Sequence, residues 1–578
     1  MRAVCRICVF GPVQSGKDTL LKRLTTYLRL PLLAALTVCG GAASTRAATL
    51  NVPSQYGTIQ AAITAAQPGD IVLIGDGTYT GAGNVALDFG GKSITVASQN
   101  GAAKTIIDCQ SQPGPPGVRG VFFHSGEPAG AKLQGVTITN GTSAPGAGIA
   151  IIGSSPTITG CILTGNSTGN VGGGLYANSS SHPMITGCVF INNTAGSGGG
   201  MEADGHVIVT GCAFTGNTAD NVAGGAFFRN NDGSGSIVTG CIFTSNIDFT
   251  YGGGGVYSGA SSTSFANCLF VGNICYNTDP SNGGGGFAGA GTLANCTFTG
   301  NKASAGAAVF SFSSGGTTIV TNSILFGDTG SEVVLGSTRD SVTYSDVQRG
   351  FAGAENVSTD PQFVRSPDLA ATPADYGDLH LRTTSPLIRK GTSVGAPTTA
   401  LDGVVRPVPP SIGAFEVAPA VLPVAADGYV LSSAPAQNSG TAPTLVVGGF
   451  LGAAYLQFDL SRVSPLSAGS TVKLRLNASR PLAGTSSLVV SATGGFSEPG
   501  LTFNNRPALG LPQGFINVTG GQGVTAYDVD VTAYVKSQQA LGVTPVSLAL
   551  TQFAPGLPVS IDSKENPAND GPQLIVTY

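Results

Sequence analysis

Two carboxylates two residues apart, Glu202 and Asp204, stand one period ahead of an arginine, Arg229, in a repeat that fills the middle of this chain. The units can be aligned on the glycines that precede a short apolar strand, Gly174, Gly200, Gly225 and Gly255. The first outward position of successive units is then Tyr176, Glu202, Phe227 and Tyr257, and the second is Asn178, Asp204, Arg229 and Gly259. If the units stack at roughly 4.8 Å, one exposed sheet gathers two carboxylates, an arginine and flanking aromatic rings within about two spacings. Carboxylates in such a set can hold calcium or exchange a proton, arginine can neutralise an anionic group, and aromatic rings can stack on a flat apolar face. The plain alternative is an Asp204–Arg229 surface ion pair that contributes little. His206, two residues past Asp204, can border the set.

The elements that must position these residues are written in the repeat. Cys161, Cys188, Cys212, Cys241, Cys268 and Cys296 follow one another at steps of 27, 24, 29, 27 and 28 residues. Two positions after each stands Leu163, Phe190, Phe214, Phe243, Phe270 or Phe298, and five positions after each stands Asn166, Asn193, Asn217, Asn246, Asn273 or Asn301. Each unit reads as a short alternating strand such as 187–191, a turn at the asparagine, a glycine run and a second strand such as 175–177. Such units coil into a parallel β-helix whose cysteines and phenylalanines point inward and whose asparagines bond to the copies above and below. Helical repeats of similar period are excluded, because 86 glycines would destroy their helices. In-register parallel cysteines aim their Cβ atoms the same way, which opposes a disulfide and favours a ladder of small buried hydrophobes. Cys109 and Cys275 lie outside the ladder with no evident mate.

Composition narrows the partners. With 10% charged residues, a net charge of −4 and no basic patch, nucleic acid is not an expected partner, and a monomer is expected. The absence of tryptophan leaves tyrosine and phenylalanine as the stacking side chains. Lys22 and Arg23 ahead of an apolar stretch, Leu30 to Val38, with small residues through Ala47 and Ala48, read as a secretory signal within 1–47. The mature chain has no further stretch long enough to span a membrane. Gly11 to Thr19 nearly spells a phosphate-binding loop, but Asp18 replaces the magnesium-binding hydroxyl residue and no α/β domain follows.

The segment Asn51 to Tyr79, with Ile59, Ala62, Ile63 and Ala66 on one face of a short helix, resembles the start of pectin-lyase-like right-handed β-helix proteins. The resemblance continues through the coils to about residue 345 and assigns the helix to plugging the open first coil. Asn356 to Phe363, Asp378-Leu-His380, Asp402-Gly403, Arg406-Pro407 and Ile412 to Glu416 resemble the closing segment of bacterial secreted β-helix proteins called choice-of-anchor Q, over 346–418. That implies a seal for the C-terminal end, with Asp402, Arg406 and Glu416 as internal ion pairs. After a linker at 419–423, the motifs around Asp427, Phe458, Glu498, Phe503, Arg506, Asp528, Lys564 and Glu565 resemble the DNRLRE family, also called carbohydrate-binding module family 96, over 424–578. Alternating strands such as 472–476 fit a β-sandwich independently.

Together these resemblances imply an all-β, secreted bacterial protein that binds or acts on an extracellular, uronic-acid-containing polysaccharide. The candidate sugar contacts are Tyr176, Phe227, Tyr257, Glu498, Arg506 and Lys564. Glu202, Asp204 and Arg229 are the catalytic candidates if the chain is a polysaccharide lyase using calcium-assisted β-elimination. Against that reading, the Asp-Asp pair and Gly-His-Gly of polygalacturonases and the Asp-His strand motif of the major pectate lyases are absent. A non-catalytic adhesin or spacer is the alternative.

Overall fold

The computed structural model describes residues 47–578 except 112–116, 232, 314–315, 372–374, 418–419, 449–451, 462, 464, 467–469, 522, 554–556, 569 and 578. The phosphate-loop-like stretch 11–19 and the leader, but for Ala47, lie outside the described residues.

Three long parallel sheets of 12, 11 and 10 strands form the walls of a β-helix. Leu163, Phe190, Phe214, Phe243, Phe270 and Phe298 stand in register in the 11-stranded wall. The five phenylalanine rings stack inside the coil with centroids 4.5, 4.9, 5.0 and 4.4 Å apart. Each asparagine of the turn donates its Nδ2 to the next asparagine's Oδ1 at 2.9–3.0 Å, from Asn166 to Asn301. The same Nδ2 also donates to a carbonyl of the preceding coil, so the buried amides of the ladder keep partners in place of water. The cysteines Cys161 to Cys296 are free and buried, as the parallel register requires.

The helix Ile59–Ala65 is capped by Thr58, whose side chain accepts from the Ala61 N–H. It turns Ile59, Ala62, Ile63 and the adjoining Ala66 into the solenoid core. Beyond the last coil, strands Phe363–Arg365 and Asp378–Leu381 pair antiparallel. Phe363, Leu379, Leu387 and Ile412 pack with Leu269, Val271 and Ile324, which belong to the 11-stranded wall. The closing segment therefore runs back along the flank of the solenoid rather than only over its end. Apolar residues on the outer surface of that wall draw it there. Arg406 and Glu416 form a buried ion pair at 2.7 Å, and the arginine also donates to Asn267 Oδ1 of the coil.

The C-terminal part is two antiparallel sheets of six and five strands around a shared apolar core that includes Leu445, Phe458, Leu474 and Leu548. The stretch read as a linker is partly a strand: Ala420–Pro423 pairs with Gln573–Thr577 and so belongs to the sandwich. Its side chains alternate between half-buried and exposed, as on the edge of a sheet.

Candidate functional site

Strands Leu175–Ala177, Met201–Ala203, Ala226–Phe228 and Val256–Ser258 stack with Tyr176, Glu202, Phe227 and Tyr257 in register. The glycine before each strand is required by close backbone approach. A Cβ on Gly200 would lie 2.5 Å from the Gly225 carbonyl oxygen.

The structure brings Glu202, Asp204, Arg229 and Tyr176 into one network. The Tyr176 hydroxyl donates to Asp204 Oδ2 at 2.7 Å. The Arg229 guanidinium lies 2.8 Å from Glu202 Oε1 and 3.5 Å from Asp204 Oδ1, so its closer partner is Glu202 and not the Asp204 expected from the sequence. It also rests 4.9 Å above the Phe227 ring, which meets Tyr257 edge-on at 5.2 Å. Tyr257 continues to Phe312 at 5.7 Å, an aromatic neighbour the strand alignment did not reach.

The expected exposed row is largely covered: Glu202 has no exposed surface and Phe227 retains 7%. Arg229, anchored one coil on, turns back across the row to meet the carboxylate, and its long stem carries the cover. His206 turns elsewhere, its Nδ1 meeting the Gly235 carbonyl and its ring lying 6.2 Å from that of His182.

Burial pushes the Glu202 carboxyl up to about 8, with Arg229 opposing and Asp204 adding to the rise. Burial and the bond to Asp204 likewise raise the Tyr176 phenol. The rise favours the protonated form of Glu202, which can donate to Asp204. Glu202 Oε1 and Oε2 and Asp204 Oδ1 accept no hydrogen bond of good geometry, and the Arg229 guanidinium is the positive group that faces them. The site is a pair of acids, Glu202 and Asp204, with an arginine whose side chain is 40% exposed as its accessible cation.

In the sandwich, Glu498 and Lys564 come together at 2.8 Å, and Lys564 also pairs with Glu565 at 2.7 Å. Asp427 joins them through its Oδ2, which accepts the Lys564 backbone N–H at 2.9 Å. Arg506 belongs to a different arrangement, with its guanidinium 3.5 Å above the Phe503 ring. Phe496 and Phe503 pack against Tyr455 and Leu501.

A cavity of about 570 Å³ lies between the 11-stranded wall and the closing segment, lined by Thr215, Thr244, Leu269, Tyr376, His380 and Phe415 among others. His380 is held by Asp378 at 2.6 Å and Asp402 at 3.1 Å, which raise its imidazole. The motif Asp378-Leu-His380 was legible, but a partner 22 residues on was not.

Residues 71–270 match the family described as right handed beta helix region, and residues 418–578 match carbohydrate-binding module family 96. The chain carries a right-handed β-helix region and a family 96 carbohydrate-binding module. No curated protein matches it. Among solved structures it is similar to the PL6 family alginate lyase AlyGC, at 12% identity and a TM-score of 0.26, over 53% of each chain. It is also similar to the enzymatically active domain of tailspike protein 2 of bacteriophage CBA120, at 10% identity and a TM-score of 0.24, over 92% of this chain and 79% of that one. The chain thus spans about half the length of the lyase it matches. At these identities and TM-scores, neither likeness bears on the chemistry of the Glu202 site. The module's presence ties the protein to carbohydrate. No helix among the described residues is long and apolar enough to cross a membrane.

Proposed function

We propose that the protein is secreted and binds an extracellular polysaccharide, with the family 96 module holding it on the polymer and the Glu202 face of the β-helix as a second contact. The observation that carries this reading is the family 96 match over 418–578. Two weak contacts on one chain reinforce each other, because the first raises the effective concentration of the second. On the β-helix, Arg229 supplies a half-exposed guanidinium suited to the carboxylate of a uronic acid, and Tyr176 and Tyr257 offer ring surface beside it.

The test is pull-down of the purified chain by alginate and pectate gels, with neutral insoluble glucans alongside. Retention that disappears when 418–578 is deleted supports the reading, and equal retention by the truncated chain contradicts it.

A second reading, a lyase or another enzyme that cleaves the polymer, is favoured by the buried, raised Glu202 carboxyl in one network with Asp204, Arg229 and Tyr176. It predicts ultraviolet absorbance from an unsaturated product on a uronic polymer, abolished in Glu202→Gln and in Arg229→Ala. Retention without product leaves the β-helix as a binding scaffold.

A further inference from the structure

We infer that the family 96 module holds a hard divalent cation, calcium by its donor set, between Asp427, Glu498 and Glu565, at the place now taken by the Lys564 ammonium. One oxygen from each of the three carboxylates lies within 4.8 Å of the others. They come from three separate parts of the module: the strand Ala426–Leu431, the turn Glu498–Gly500, and the turn after the strand Val559–Asp562. Asp427 is completely buried, and while its Oδ2 accepts the Lys564 N–H, its Oδ1 has no hydrogen-bond partner. A buried carboxylate oxygen without a donor is costly unless a cation meets it.

The surroundings are shaped for this cluster. Glu498 Oε2 accepts the Asp427 N–H at 3.3 Å, which turns the two acids toward each other. Gly440 lies beneath Glu498, where a Cβ would come 2.6 Å from Glu498 Cγ. Two of the acids already converge on a positive centre, since the Lys564 ammonium stands 2.8 Å from Glu498 Oε1 and 2.7 Å from Glu565 Oε1. One ammonium offsets only one of three carboxylate charges.

The donors are all oxygen, with no imidazole or thiolate among them, which selects calcium over zinc or copper. The Lys564 side chain is 30% exposed and flexible, so its ammonium can move into water when a divalent ion enters. Lys564 is then the built-in competitor that sets the affinity, and the bound ion ties the strand Ala426–Leu431 to two distant turns. This inference does not depend on the sugar-binding reading, and it places calcium in the sandwich rather than at Glu202.

The test uses the full chain, with terbium luminescence and calorimetric titration of calcium. Saturable binding at one site is expected, weakened at least about tenfold in Glu498→Gln and in Glu565→Gln and strengthened about tenfold in Lys564→Met, where the competing charge is gone. Calcium should also raise the unfolding temperature of the wild type, and less so that of Asp427→Asn. If Asp427→Asn does not fold, the surface-accessible Glu565→Gln and the gain in Lys564→Met still decide. Absence of saturable binding up to roughly 10 mM calcium in both wild type and Lys564→Met overturns the inference, as that exceeds the weakest extracellular calcium modules. Unchanged affinity in both glutamine variants overturns it too, because the ion then sits elsewhere.

Discussion

Glu202 illustrates how a single side chain can be located by sequence and still be misjudged in character. Its register with Tyr176, Phe227 and Tyr257 followed from the glycines alone, because backbone spacing repeats faithfully from coil to coil. Its burial did not follow, since it depends on the rotamer of Arg229 one coil away. The consequence is testable through linkage. The Glu202 pKa rises from 4.5 to about 8 on folding, so the native state binds more protons than the unfolded chain between those values. Its stabilising contribution is complete below about pH 4.5 and is lost as pH rises toward 8. Glutamine keeps an acceptor for Arg229 and carries no proton to lose. Glu202→Gln is therefore expected to gain on the wild type by about 1 to 3 kcal/mol between pH 5 and pH 8, measured by urea unfolding at each pH. A difference that stays constant with pH would show that Glu202 is ionised in the native protein.

At the scale of the element, the asparagine ladder does what the cysteines only accompany. Asn217 Oδ1 accepts from both the N–H and the Nδ2 of Asn193, while its own Nδ2 donates to the Phe190 carbonyl and to Asn246 Oδ1. Asn217→Ala strands buried groups on two neighbouring coils and is expected to cost about 3 kcal/mol, read from the shift in urea midpoint at constant slope. A loss under about 1 kcal/mol would mean that water replaces the amide. The ladder ends on a different residue. Asp328, 27 positions after Asn301, takes the Asn301 N–H and Nδ2 on its Oδ1, and Ser323 stands where the cysteine would be. The repeat interval pointed to Asp328, but the change of residue type at both marker positions hid the coil from a pattern built on cysteine and asparagine. Burial and the nearby Glu332 raise the Asp328 carboxyl well above its usual range. Asp328→Asn supplies the amide used in the earlier rungs and can donate toward Glu332, so it should stabilise the protein at pH 8 by about 1 kcal/mol. Destabilisation at that pH would show that the acid is needed for another contact.

Across the whole molecule, the buried acids impose an unusual pH dependence. Glu202, Asp248 and Asp346 are raised mainly by burial, the first to about 8 and the others to about 7, from unfolded values of 4.5 and 3.8. Their stabilising contribution is present below about pH 4 and declines as pH climbs through 7 and 8. His380, raised by Asp402 and Asp378, declines in the same direction, from its unfolded value of 6.5 upward. An opposite group acts only at lower pH. Asp378, Asp402 and Asp528 are lowered by the partners His380 and Arg475, and Asp70, Glu127, Asp279 and Asp530 by hydrogen bonds; their contribution is lost only as pH falls below about 4. The two acids raised to about 7 were invisible as a pair in the sequence because they lie in different contexts: a solenoid corner and the last coil. What unites them is lost hydration, a property of the fold. Stability should therefore peak near pH 4 to 5 and fall toward pH 8, with the unfolding temperature dropping by roughly 5 °C or more over that span. Scanning calorimetry at constant ionic strength reads this directly, and Asp248→Asn combined with Glu202→Gln should flatten the slope for the β-helix. An unfolding temperature that rises from pH 5 to pH 8 would mean that water or a bound cation already meets these carboxylates in solution.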